Sequence, residues 1–479
     1  MNLFPGLQPV EVTTAASTTG YLDMPFYYKP LNASAPLVQT PTGEKPQSKL
    51  WYNDGRWWAS LFNTTSGNYH IYWLNLTYQT WIDTGTVLDT RAETKADCLW
   101  DGTYLYVVSG GGADLSGAGT RYPWPAVLYR FSYNAAAKSY TPDFGPITIR
   151  DGGAETIVLD KDTTGKLWVT YTQNNKVYVN HSLTTDSDWN PAAAMVVPTT
   201  DPKWTSLSPD DISSLVAFDG KIGVIWSNES AGQFAGSSDT AFYFAYHVDG
   251  TADAIWSSRA IYRQPSAADD HINIKSLQAD PAGNIYAMVK TSFNAVGSPQ
   301  LLLLVAKKQS GSYTWTPYVE SVREDKQTRP ILLIDTENRK LYVFTSTESG
   351  GYIYYKSTSL SSIQFSPGPG TLFMTKNGYA LNNLTSTKQT VNSGSGIVVM
   401  ASHDNEAQID TATLDYYFHN YIAISPVVPV GTPTPSATAR PATPTATATA
   451  TPLATATPTA TATPRPYEGG TIYIPLMER

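Results

Sequence analysis

Cysteine is nearly absent. Cys98 is the single one in 479 residues, which excludes an intramolecular disulfide and any zinc site built on cysteines. Long apolar runs are missing too: none approaches the ~20 residues a transmembrane helix needs. Charge is scarce. Only 15% of residues are charged, with 32 basic against 40 acidic side chains, a formal net charge of −8. An ordinary soluble domain carries about 25% charged residues, so Ser, Thr, Asn, Tyr and Gly build this surface. The acidic balance argues against a nucleic-acid partner.

Several chemistries lack their motifs. The six histidines show no H-E-x-x-H spacing. Neither a Gly-x-Ser-x-Gly elbow nor a phosphate-binding Gly-rich loop is present. "SGGGADLSGAG", from Ser109, reads as a loop insertion because no helix pattern follows it. No segment sustains a 3.6-residue apolar period, so few helices are expected. Met1 to Tyr21 hold no Lys or Arg and no apolar stretch of signal-peptide length. Taken alone, this start points to the cytoplasm.

What is present divides the chain by composition. Residues 1–44 form an N-terminal segment and 45–425 a folded region. Residues 426–466 form a linker, almost wholly Thr, Pro and Ala from Thr432 to Pro466, and 467–479 a tail. The linker lacks the aromatic and branched residues of a core, so it is expected to be disordered. Its proline density favours an extended chain reaching on the order of 100 Å. Such tracts commonly serve as stalks on secreted or surface proteins, which outweighs the N-terminal signal and predicts an extracellular or cell-surface location. The tail, "YEGGTIYIPLMER", resembles the short Leu-Pro-Leu endings after Thr/Pro stalks in some secreted bacterial proteins, which implies a sorting or anchoring element.

The folded region repeats. Each unit has a half-apolar run, a tight turn rich in Asp and Gly, an apolar or aromatic strand, and a third strand rich in Tyr, Phe and Leu. Clear copies are "KLWYNDGRWWASLF" from Lys49, "ADCLWDGTYLYVVS" from Ala96 and "SLVAFDGKIGVIWS" from Ser214. The turn residue falls at Asp54, Asp101, Asp160, Asp219, Asp280, Asp335 and Ser393, at intervals of 47, 59, 59, 61, 55 and 58 residues. Asp-Gly suits a two-residue hairpin because Gly tolerates positive φ and Asp bonds its own backbone. A more variable fourth strand fits after each of the first six units. Four antiparallel strands, seven times over, predict an all-β, seven-bladed β-propeller followed by the disordered stalk. A six-bladed ring with one irregular unit is the main rival. The seventh unit lacks a fourth strand, which "GYLDMPFYY" (Gly20–Tyr28) would supply to close the ring and remove exposed edges. Trp58, Tyr106, Trp168, Trp226, Tyr286 and Tyr342, at equivalent positions, read as packing between blades.

The repeat exposes a charge pattern at the start of the inner strand, where each blade meets one rim of the central channel. In a two-residue window there, five of seven blades place a base: Lys49, Lys95, Lys275, Arg329 and Lys388. Acids stand close by: Asp97, Glu155, Asp210, Asp211, Asp269 and Asp270, with His271 adjacent. Converging cations in a concave mouth raise the local concentration of anions. The expected ligand carries a carboxylate, sulfate or phosphate, held bidentately by Arg329 and by the lysines as point charges. Asp97 shares that ligand-binding rim. The alternative is that each base pairs with a neighbouring acid, as Lys95 with Asp97 or Lys275 with Asp270, and merely closes the channel. Trp204, Tyr262, Tyr354 and Tyr355 are candidate sugar-stacking platforms. No metal site is predicted, although the pairs Asp210–Asp211 and Asp269–Asp270 offer oxygen ligands that would suit Ca²⁺.

Propeller form, charged rim and stalk resemble the sialidase-like (BNR-type) group of secreted propellers, which bind or cleave glycans. That resemblance implies Arg329 on a substrate carboxylate. "DDHINIKSLQADPAGNIYAMVKTS", from Asp269, is similar to a segment of propeller polysaccharide lyases acting on uronate polymers. There a His and a Tyr serve as acid and base while cations neutralise the uronate. The resemblance implies a catalytic role for His271, with Lys290 near the place of a second family histidine; Glu155 and Asp211 are the carboxylates to consider with it. The sequence therefore predicts recognition of an anionic polysaccharide, sialylated or uronate-bearing, by a monomer. Glycan cleavage by a lyase or sialidase-like hydrolase is the alternative. A non-catalytic, protein-binding adhesion scaffold is the third.

Overall fold

A computed structural model describes residues 21–27, 40–43, 46–111, 124–208, 210–230, 233–269, 277–280, 282–309, 312–403 and 414–426. The chain divides into two units, Met1–Val427 and Val428–Arg479. The second unit, holding most of the predicted linker and all of the tail, lies outside the described residues.

The first unit is a seven-bladed propeller of four-stranded antiparallel sheets. Its first strand, β1 (Tyr21–Tyr27), belongs to the last blade. Blade one is β2 (Leu50–Asn53), β3 (Arg56–Asn63), β4 (Asn68–Asn75) and β5 (Thr80–Asp89). Blade two is β6 (Lys95–Trp100), β7 (Tyr104–Gly111), β8 (Trp124–Asn134) and β9 (Ser139–Arg150). Blade three is β10 (Ile157–Lys161), β11 (Leu167–Gln173), β12 (Lys176–His181) and β13 (Met195–Val196). Blade four is β14 (Ser213–Phe218), β15 (Lys221–Asn228), β16 (Asp239–Val248) and β17 (Trp256–Pro265). Blade five is β18 (Leu277–Ala279), β19 (Ile285–Lys290), β20 (Pro299–Gln309) and β21 (Ser312–Val322). Blade six is β22 (Gln327–Asp335), β23 (Lys340–Thr347), β24 (Tyr352–Ser359) and β25 (Thr371–Thr375). Blade seven is β26 (Leu381–Thr385), β27 (Ile397–His403) and β28 (Leu414–Ile422), completed on its outer edge by β1. The N-terminal strand thus closes the ring, with Tyr21 opposite His419 and Tyr27 opposite Leu414.

The Asp-Gly turns behave as their chemistry requires. Asp54 and Gly55 have φ of 52° and 72°, and Asp219 and Gly220 have 46° and 67°. Two successive positive φ values give the turn whose twist matches the flanking strands. In blade three the turn sits later than the repeat suggests. Asp160 lies inside β10, and Asp162 makes the turn by accepting hydrogen bonds from the Thr164 and Lys166 amides at 2.8 and 3.0 Å. Asp160 is thereby released for the channel wall.

Five apolar clusters hold the ring together, and each is shared between neighbouring blades. Trp58 is fully buried and meets Tyr133 and Tyr140 of blade two edge-on at 5.7 and 5.0 Å. Trp168 packs on His247 and Trp256 of blade four at 5.1 and 5.9 Å. Burying each such ring is worth about 2–3 kcal/mol. The largest aromatics therefore serve as mortar between blades. Gly223 shows how tight the seams are: a Cβ there would fall 2.5 Å from Phe244 and 2.8 Å from Phe218.

Candidate functional site

Each inner strand starts at one face of the ring. In an antiparallel blade the end of the second strand meets that same face. Two groups of polar side chains gather there.

The first group fills the channel between blades one, two, three and seven. Lys49, just before β2, is buried and donates from Nζ to Gln47 Oε1 at 3.2 Å and to the Ala96 carbonyl. Lys388, just after β26, reaches across to Asp97 Oδ2 at 2.7 Å and to the Leu159 carbonyl at 2.7 Å. Asp97 is completely buried on β6. Its Oδ1 accepts from the Ser48 amide at 2.8 Å and its Oδ2 from the Leu159 amide at 2.7 Å. One carboxylate thus ties four blades. Asp160 continues the pattern, accepting from the Ala217 amide of blade four at 2.7 Å. Burial raises the Asp160 carboxyl above the ordinary range, opposed first by the Lys388 ammonium. Lys95, the first residue of β6, is buried, and its carbonyl accepts from Gln47 Nε2 at 3.4 Å. Lys49, Lys388 and Asp97 lie together here, and the two ammoniums meet carboxylates and several carbonyls. Such an arrangement stitches the channel shut as well as it could serve a ligand.

The second group occupies the rim of blades six and seven. Arg329 sits in a bulge of β22, where the register slips between Thr328 and Ile331. Its φ is 47°, left-handed for a residue with a long side chain, a conformation that costs about 1 kcal/mol or more and concentrates at functional sites. Its guanidinium makes no hydrogen bond or ion pair among the described residues, and Nε is buried without a partner. Blade seven repeats the bulge at Asn382–Thr385, with Asn383 at φ 53°. The Ser346 hydroxyl joins the two, lying 2.9 Å from Asn382 Oδ1 and 3.4 Å from the Thr328 carbonyl.

Across the ladder, Leu381 pairs with His403 at the end of β27. His403 Nδ1 bonds the buried Asp415 carboxylate. A carboxylate only accepts, so Nδ1 carries the proton and the neutral ring keeps its lone pair on Nε2. Nε2 makes no hydrogen bond among the described residues. The Tyr379 ring stands edge-on to His403 at 5.1 Å.

The remaining predicted residues fall elsewhere. Glu155 is half-buried just before β10. Asp211 is buried before β14, and its oxygens accept from the Ser208 amide at 2.7 Å, the Glu229 amide at 3.4 Å and the Ser227 hydroxyl. Burial raises its carboxyl. Asp269 pairs with Lys290 at 3.0 Å. Lys275, His271 and Asp270 lie outside the described residues. Among the described residues no three His, Cys, Asp or Glu gather as metal ligands would. Of the stacking candidates, Trp204 packs on Tyr243 at 5.2 Å and Tyr355 on Phe344 at 5.6 Å.

No family model and no curated protein matches the chain. Solved structures match the chain at low identity. The polysaccharide lyase Uly1 covers 79% of this chain and 90% of its own at 8% identity and a TM-score of 0.46. An ulvan lyase solved with -[GlcA(1-4)Rha3S]- covers 80% and 94% at 9% identity and a TM-score of 0.47. A protein of unknown function from Dyadobacter fermentans covers 67% and 92% at 12% identity and a TM-score of 0.44. The likeness is one of fold.

Proposed function

We propose that this propeller recognises an anionic glycan on the rim of blades six and seven, outside the cell or at its surface. The observation that carries the reading is Arg329: a permanently charged fork that no acid pairs among the described residues, held in a left-handed bulge on an acidic protein. A planar guanidinium matches a carboxylate or sulfate bidentately. The Thr/Pro stalk supplies the reason for an extracellular setting. The test is affinity electrophoresis against uronate-bearing, sulfated and neutral polysaccharides. Binding is expected for the acidic polymers only, and Arg329→Ala should weaken it at least about tenfold, the loss of one charge-assisted bidentate contact. Equal retention on neutral polymers, or an unchanged Arg329→Ala variant, refutes the reading.

His403 favours cleavage as a second reading. An oriented imidazole with an open Nε2, a neighbouring phenol and a cation to neutralise a uronate are the parts needed to remove the proton α to a carboxylate and expel the C4 oxygen. An unsaturated uronate would then accumulate, and His403→Gln should abolish it while leaving binding intact. Binding without any unsaturated product leaves recognition alone.

A further inference from the structure

Blade one carries a second constellation that the glycan reading does not use. The turn between β3 and β4 presents Ser66, whose side chain is exposed. Its Oγ lies 2.9 Å from His70 Nε2. His70, buried on β4, places Nδ1 at 3.0 and 3.1 Å from the two oxygens of Asp83 on β5. Since Asp83 only accepts, Nδ1 holds the ring proton, and Nε2 of the neutral imidazole accepts from the Ser66 hydroxyl. Asp83 is itself fixed by the Asn63 amide and the Gly85 backbone, each at 2.8 Å. Nucleophile, base and orienting carboxylate are thus in hydrogen-bond sequence, the arrangement that activates serine on unrelated folds.

We propose that Ser66 is an activated nucleophile toward acyl esters, with His70 as general base and Asp83 as the residue that positions it. Ser66 Oγ forms a bond to the ester carbonyl carbon as the bond to the alcohol oxygen breaks. The Ser66 proton passes to His70 Nε2 and on to the departing alkoxide. Water, deprotonated by the same Nε2, then releases the carboxylic acid and restores the hydroxyl. The Thr65 and Ser66 amides, which would otherwise steady an oxyanion, are both held by Asn63 Oδ1 at 2.9 Å. The site is therefore built for nucleophilic attack more than for fast turnover, and reactive small esters are its class of substrate.

The experiment uses the full chain with p-nitrophenyl acetate and a fluorophosphonate probe. One adduct is expected, mapped to the peptide containing Ser66. Ser66→Ala, an exposed substitution that leaves the fold intact, should lower p-nitrophenolate release at least about 100-fold, the usual worth of positioned general-base catalysis. His70→Gln should do the same, and Asp83→Asn should lower release by a smaller factor. Label elsewhere than Ser66, or the same release from Ser66→Ala as from the unaltered chain, overturns the proposal and makes the trio a brace for the turn. The outcome is independent of any glycan result.

Discussion

Removing the Asp97 carboxylate should be among the most costly single changes in this ring. The carboxylate accepts from two backbone amides and from the Lys388 ammonium, all within 2.7–2.8 Å. In Asp97→Ala the Ser48 and Leu159 amides lose their acceptors in a fully buried place, at about 1–3 kcal/mol each. Lys388 loses this ion pair, while the Leu159 carbonyl and the Asp160 carboxyl remain near its ammonium. Breaking a buried ion pair costs about 3–5 kcal/mol, and the 15% exposure of the Lys388 side chain places this pair at the low end. Together these give about 5–9 kcal/mol, a large share of a typical stability of about 5–15. Urea unfolding followed by tryptophan fluorescence reads the change directly. The partner mutation distinguishes the causes. Lys388→Met leaves Asp97 with both amide donors and should cost about 1–2 kcal/mol. The double variant should be more stable than Asp97→Ala alone, because it removes a cation that has lost its ion pair. A loss below 1 kcal/mol in Asp97→Ala, or a Lys388→Met variant worse than Asp97→Ala, would refute the idea that this carboxylate joins the blades.

Two further outcomes follow from buried charge. Lys356 donates to the Glu320 carbonyl at 2.6 Å and lies 3.4 Å from its carboxylate, both residues being buried; Lys356→Ala should cost about 3–5 kcal/mol by stranding that acid, whereas replacing both with methionine should cost clearly less, and equal losses in urea would contradict this. Burial raises the Asp211 carboxyl, so the native state takes up a proton before the unfolded chain does; this group's contribution is full below its unfolded value of about 3.9 and is lost as pH rises through the raised one. Asp211→Asn should therefore gain on the unaltered protein as pH climbs from about 4 toward neutrality, and a pH-independent difference between their unfolding free energies would show that the shift is absent.

The propeller was legible because each blade repeats a local rule. Asp-Gly turns and apolar inner strands mark blades at near-constant spacing, and each blade has its expected third strand, as Leu414–Ile422 in blade seven. The outer strands were harder to bound. The fourth strands of blades one and four run from Thr80 to Asp89 and from Trp256 to Pro265. These strands are largely exposed, so their apolar alternation covers only part of their length. The turn at Asp160 was misplaced for a related reason. Two acids two residues apart, Asp160 and Asp162, both satisfy turn chemistry, and only the inter-blade bond to Ala217 assigns Asp160 to the wall.

The site was legible only as a set of charges, since spacing along the chain does not say which charges neutralise one another. Lys388 finds its acid on Asp97, far away in sequence, because closing the ring brings blade seven beside blades one and two. That contact could not be read from a window around Lys388, and neither could the lack of one at Arg329 among the described residues. His403 was missed for a different reason. Attention fell on where inner strands begin, yet an antiparallel partner ends on the same rim, so the last residue of each second strand belongs to the same search. Applied to blade seven, that rule pairs His403 with Leu381, two residues from Asn383. An imidazole, a bulged asparagine and a guanidinium unpaired among the described residues then share one sector, while Lys49 and Lys388 join blades. Charge count along a repeat therefore overstates a binding site, because ring closure supplies counter-ions that a local window does not show.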